Sequence, residues 1–250
     1  MKKIGLALGG GAVLGAAHVG VLQAIDKYNL KIEYLSGTSI GALAAALLAF
    51  GRDWKEIREI TNDLKWVDII GISLSKFSLL SNERLGELVK YYIGDEKIED
   101  SYIPLAINAT DIATGEKVVL DKGSLAEAIM ASTCVPGVFK PIQKDNRLLV
   151  DGGIVENVPI QTCRNLGADY VIGIDLNSKN TYERPDNIID VIMNSFHFLI
   201  RESVKLQSEK ADLNIQLDLS KFNMYDTDQV NDIIKKGFED TEKMLKKVIH

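Results

Sequence analysis

Short apolar runs alternate with stretches of helical periodicity along the 250 residues. Residues 4–8 form the first run and enter a glycine-rich turn. Beyond it Val13, Leu14, Ala17, Val21, Leu22 and Ile25 recur at the spacing of one helix face. Residues 32–35 form the second run, followed by a helix of small and aliphatic residues that Gly51 terminates. Asp53 and Glu56 stand at capping-box spacing and predict a helix to about residue 66. A further helix is expected over 82–93, then strands over 104–110 and 116–120. Ser124 and Glu127 repeat the capping-box spacing and open a helix to about residue 132. Strands follow at 148–150 and 170–175, a long helix at 187–210, a strand at 213–217 and a last helix at 228–248. Apolar strands alternating with helices predict an α/β fold, its largely parallel sheet covered by helices on both faces. No repeat or low-complexity linker divides the chain, so residues 1–250 read as one domain.

Composition narrows the function classes. A net charge of −6 with no basic tract argues against nucleic acid as a partner. It also disfavours electrostatic docking on an anionic membrane, so any transient membrane contact is expected to be apolar. Cys134 and Cys163 form neither a disulfide framework nor a Cys-x-x-Cys pair; both read as small buried residues in a reducing, cytoplasmic setting. Lys2-Lys3 before an apolar run imitates a secretory leader, but glycines at 9, 10, 11 and 15 break that run. No stretch has the length of a membrane span without glycine or charge.

Chemistry concentrates in three places. Gly37-Thr38-Ser39-Ile40-Gly41 lies between an apolar run and a helix, the context of a nucleophile elbow. The bland alternative is a small-residue turn in which Ser39 only caps the helix. Gly9-Gly10-Gly11-Ala12-Val13-Leu14-Gly15 follows the first strand, but Ala12 and Leu14 interrupt a dinucleotide fingerprint and no Gly-Lys-Ser/Thr follows. What remains is a loop of small residues whose N–H groups converge on an anion, an oxyanion hole if a nucleophile is near. Asp151-Gly152-Gly153 places a carboxylate at a strand end on a bend. Alone it reads as a turn; beside the other two it is a candidate base.

Histidine is scarce. His18 sits among small apolar residues of the first helix, His197 lies mid-helix, and His250 is the last residue given. None lies in a loop beside an acid, so a Ser39–Asp151 dyad is expected, with Asp151 made basic by a dry site.

The glycine-rich loop, Gly-Thr-Ser-Ile-Gly and Asp-Gly-Gly, in that order, resemble the patatin-like phospholipase family. Residues 17–22, 131–141 and 151–159 extend the resemblance, which covers roughly 4–175. It implies a three-layer α/β/α fold and hydrolysis of acyl esters by a Ser–Asp dyad, without metal or cofactor. It assigns Ser39 as nucleophile, Asp151 as base and Gly10, Gly11 and Ala12 as the oxyanion loop. Gly37 and Gly41 then frame the elbow, and Gly152 and Gly153 complete the Asp-Gly-Gly motif. Acyl lipid is the expected substrate, with a location in the cytoplasm or peripheral to a membrane. Transfer to an acceptor other than water, and a regulatory protein on an inert scaffold, are the alternatives.

Two further expectations concern departures and flanks. Ala12 stands where the family usually has glycine, and Leu14 where it usually has arginine or lysine. Loss of that cation suggests a preference for neutral esters, unless Leu14 faces the helix–sheet core. Residues 68–80, rich in apolar side chains and serines, suggest a flap over Ser39 or an irregular stretch in the core.

Overall fold

A computed structural model describes residues 2–64, 82–179, 184–186 and 188–249. The stretch proposed as a flap, 68–80, lies outside the described residues.

Strand β1 (Ile4–Leu8) is paired in parallel on both sides, with β2 (Ile32–Thr38) and with β7 (Tyr170–Asp175). Both its faces are covered: Leu6 and Leu8 join one buried cluster and Ala7 the other. A strand buried on two faces reads as a continuous apolar run rather than an alternation, which is why β1 is plain in the sequence. β2 runs further than the apolar run suggests, because Gly37 and Thr38 still pair with β3 (Leu105–Asp111).

Among the described residues the sheet has eight strands, with β5 (Ile142–Lys144), β6 (Arg147–Asp151), β3, β2, β1, β7 and β8 (Leu213–Gln216) as successive hydrogen-bonded neighbours. β4 (Lys117–Leu120) also pairs with β3. The pairs among β3, β2, β1, β7 and β8 are parallel; β4, β5 and β6 add an antiparallel end. The mostly parallel sheet with helices on both sides is thus as expected.

One face carries α1 (Ala17–Lys27), α2 (Ile40–Ala49), α3 (Trp54–Asp63), α4 (Glu83–Tyr92), α5 (Leu125–Ser132) and α9 (Val230–Ile249). The short α6 (Gly153–Glu156) follows β6. α7 (Ile160–Asn165) and α8 (Ile188–Ser208) cover the opposite face through Ile160, Cys163, Ile200 and Val204. Both halves of the Asp53–Glu56 capping box form. Gly51, at φ 85, ends α2 in the left-handed conformation that glycine takes without strain.

The first helical segment opens differently from expectation. Ala12–Ala16 form a 3₁₀ turn that runs into α1. Val13 N–H of that turn donates to the Met224 carbonyl at 3.2 Å. α1 and α9 cross at glycines: a Cβ on Gly20 would overlap the Ile234 carbonyl, and one on Gly237 the Ala17 carbonyl. Absence of both side chains lets the two backbones touch.

Candidate active site

The register of β3 brings Ser39 and Asp151 together. Asn108 pairs with Thr38 of β2 and Val119 of β4, and Ala109 pairs with Asp151 of β6 and Val118 of β4. β4 therefore fills one edge of β3, while β2 and β6 share the other and meet end to end. The residue after β2 is Ser39, and the last residue of β6 is Asp151.

Ser39 is half-buried and stands at φ 53, ψ −129, a region that non-glycine residues avoid. Its side chain makes no capping bond to α2. The strain is held in place by the surroundings. Ser39 N–H donates to Ser132 Oγ at 2.8 Å, and Ser132 Oγ donates to the Asn108 carbonyl at 2.6 Å. α2 fits tightly beneath: a Cβ on Gly41 would overlap the Leu8 carbonyl and come within 2.6 Å of the Gly9 carbonyl.

Asp151 is 2% exposed. Burial pushes its carboxyl up to about 6, against the opposing effects of the nearby Ser39 hydroxyl and the Gly153 amide. Gly153 N–H donates to Asp151 Oδ1 at 2.7 Å. Cys134 lies close enough for the Asp151 charge to reinforce the effect of burial, which raises its thiol to about 12. Both cysteines are free and buried.

The glycine-rich loop lies directly against Ser39: a Cβ on Gly10 would come within 2.9 Å of Ser39 Cβ. Its inner peptides are tied down. Gly9 N–H donates to the Ile174 carbonyl at 3.2 Å and Gly10 N–H to the Asn157 carbonyl at 3.4 Å. His18 Nε2 bonds the Gly9 carbonyl at 2.8 Å, and burial lowers its pKa to about 4. His18 is therefore a neutral, structural imidazole. Among the described residues, the Gly11 and Ala12 amides have no backbone acceptor. Ala12 adopts φ 51, a left-handed conformation open to glycine and costing a side-chain-bearing residue about 1 kcal/mol.

Leu14 settles in the core at 0% exposure. Its lack of charge therefore removes no contact to a substrate, and a preference for neutral esters cannot be read from it. Leu14→Arg should lower stability by about 3–5 kcal/mol, the scale of an uncompensated buried charge. Denaturant unfolding of the two proteins measures this, and an unchanged midpoint would show that the arginine escapes the core.

His197 is buried, hydrogen-bonds the Tyr225 hydroxyl at 3.3 Å, and has its pKa lowered by burial to about 4. Among the described residues no group of three His, Cys, Asp or Glu side chains could hold a metal ion. No described helix is long and apolar enough to cross a membrane.

A buried network behind the site has no local sequence signal. Glu156 Oε2 accepts from Lys117 Nζ at 2.8 Å, Thr162 Oγ1 at 2.9 Å and Asn108 Nδ2 at 3.0 Å. Glu156 Oε1 accepts from the Gln161 amide at 2.8 Å, and Thr38 Oγ1 donates to the Glu156 carbonyl at 2.9 Å. These bonds fasten the turn after Asp151 to the end of β2.

A family model described as patatin-like phospholipase matches residues 6–164. Neuropathy target esterase sws of Drosophila melanogaster is 35% identical over 187 residues, which are 72% of this chain and 13% of that protein. An uncharacterized NTE family protein of Mycobacterium tuberculosis is 34% identical over 180 residues, 70% of this chain and 49% of that one. The chain thus spans half or less of the length of these relatives. VipD from Legionella pneumophila has a similar fold, with a TM-score of 0.66 at 15% identity, covering 99% of this chain and 67% of that one. ExoU from Pseudomonas aeruginosa, solved in complex with SpcU, is similar at a TM-score of 0.56 and 13% identity, covering 99% and 52%. The family match runs from β1 into α7, through every element that brings Ser39 and Asp151 together, and the chain belongs to the patatin-like phospholipase family.

Proposed function

We propose that this chain is a serine hydrolase of lipid acyl esters, working through a Ser39–Asp151 dyad. The observation that carries the reading is the placement of a strained, half-buried Ser39 beside a buried carboxyl raised to about 6. Membership of a family described by phospholipase activity supports the substrate class.

In this mechanism ionised Asp151 takes the Ser39 proton as Oγ attacks the ester carbonyl. The tetrahedral oxyanion faces the Gly11 and Ala12 amides, which have no backbone acceptor among the described residues. Gly10 contributes its position against Ser39 more than its amide, which is engaged with Asn157. Collapse expels the alcohol, which leaves with the proton from Asp151, and an acyl-Ser39 ester remains. Asp151 then takes a proton from water as its oxygen attacks the acyl carbonyl, and on collapse that proton passes to the departing Ser39 Oγ, which frees the fatty acid and restores both residues.

A fluorophosphonate probe tests this directly. Mass mapping should locate the label on Ser39, and Ser39→Ala should take up none. The rate should also report the base. A carboxyl raised by burial stays neutral to higher pH than usual, so reactivity should be full above about pH 7 and fall through about 6. Labelling that is flat from pH 5 to pH 8, or that maps elsewhere, would remove Asp151 or Ser39 from its role.

A further inference from the structure

Two buried side-chain amides converge on one carbonyl of the glycine-rich loop. Asn177 Nδ2 donates to the Gly10 carbonyl at 2.6 Å, and Asn157 Nδ2 donates to the same oxygen at 3.4 Å. Asn177 is 2% exposed and Asn157 is 1% exposed, so bulk water does not compete for these bonds. Asn177 is itself anchored just past β7, its backbone N–H donating to Asp175 Oδ1 at 2.8 Å.

The consequence follows from peptide geometry. A trans peptide is planar, and its N–H points opposite to its carbonyl. The described residues contain no cis peptide. Holding the Gly10 carbonyl toward Asn177 therefore aims the Gly11 N–H the other way, away from Asn177. The preceding peptide is oriented separately, by His18 on the Gly9 carbonyl and by the Asn157 carbonyl on the Gly10 amide. Gly11 supplies the first amide of the loop left without a backbone acceptor among the described residues. A glycine-flanked peptide has little intrinsic preference to keep that orientation, so an external hold is needed.

We propose that Asn177 is a positioning residue for acyl transfer, its side-chain amide fixing the Gly10–Gly11 peptide so that the Gly11 N–H faces the oxyanion. This rests on the hydrolase reading above. Asn177 lies beyond residues 6–164, so the loop is completed by a residue outside the stretch that the family model matches. Asn157 is the weaker holder, because its side-chain bond is long and its own carbonyl serves Gly10. Asparagine suits the task because it donates without bringing charge to a buried site. Aspartate would turn an oxygen toward the carbonyl, and leucine would fill the space with no donor.

The test uses the full chain with Asn177→Asp and Asn177→Leu, a soluble acyl ester, and two inhibitors of one acyl chain length. A trifluoromethyl ketone forms a tetrahedral oxyanion on the serine; the matching secondary alcohol does not. With the melting temperature of each variant recorded, kcat should fall roughly 10- to 100-fold. KM should stay within about twofold, because the lost interaction belongs to the transition state. Ketone affinity should weaken in step with kcat while alcohol affinity holds. Equal weakening of ketone and alcohol, a rise in KM alone, or a folded variant with undiminished kcat would overturn the role. Asn177→Asp is nearly isosteric and decides the matter if Asn177→Leu does not fold. A wild-type chain that neither turns over esters nor labels at Ser39 removes the hydrolase reading itself. An active wild type with an unimpaired Asn177→Asp removes only the positioning role.

Discussion

Ser39→Ala and Asp151→Asn should each cut ester turnover by roughly 10⁴-fold or more, and the double variant should be scarcely worse than either. In the proposed dyad each residue is useless without the other. Asp151 has no second task in the mechanism beyond moving the Ser39 proton and activating water, and Ser39 without a base is an ordinary alcohol. Steady-state kinetics on a soluble ester give the three rates. Additive losses would mean that the two act in separate steps. His197→Gln is the control for a hidden triad, since its ring is buried and bonded to Tyr225. Turnover should survive that change; its loss in a protein of normal stability would bring the histidine into the chemistry.

Gly41→Ala should damage both fold and chemistry through one added methyl group. The new Cβ would overlap the Leu8 carbonyl and press within 2.6 Å of the Gly9 carbonyl, so α2 and the loop would have to separate. Backbone cannot yield as a flexible side chain does, and overpacking of a fitted interior costs about 1–3 kcal/mol or more. Movement of the loop by about 1 Å against Ser39 would add a loss near 10²-fold in kcat. Urea unfolding and turnover of the same preparation read the two effects. Near-normal values for both would show that the α2–β1 contact is softer than its geometry. Ala44→Gly, in the same helix, gives a comparison in which no atom is added.

Much of this was written into local pattern. β1 and β7 show as apolar runs because both faces are covered, and the Asp53 capping box shows because its partners lie three residues apart. The elbow is legible for the same reason, since strand, turn and helix are consecutive. β5 was missed. It is three residues long and depends on a turn at Asp145 and Asn146, at φ 48 and 62. Two residues prone to the left-handed region were a usable hairpin signal. Asn177 left no such signal. It reaches Gly10 because β1 and β7 run in parallel with Leu8 beside Ile174, so the loops beyond both strands emerge at the same end. The pairing of β2 and β6 end to end on β3 is likewise a property of topology. Leu14 shows the opposite error, where a family pattern suggested chemistry and a helix-face position already pointed to the core.

The crossing of α1 and α9 makes the order of synthesis matter. The 3₁₀ turn that carries Ala12 is held through Val13 by Met224, and α1 is seated through Gly20 against Gly237. On the ribosome the strands and helices near Ser39 emerge well before these partners. During that interval the α1 face that will meet α9 is uncovered apolar surface, the condition under which nascent chains need a chaperone. The hold on Val13 and the cover over α1 are therefore added only after the strands and helices near Ser39 have been made.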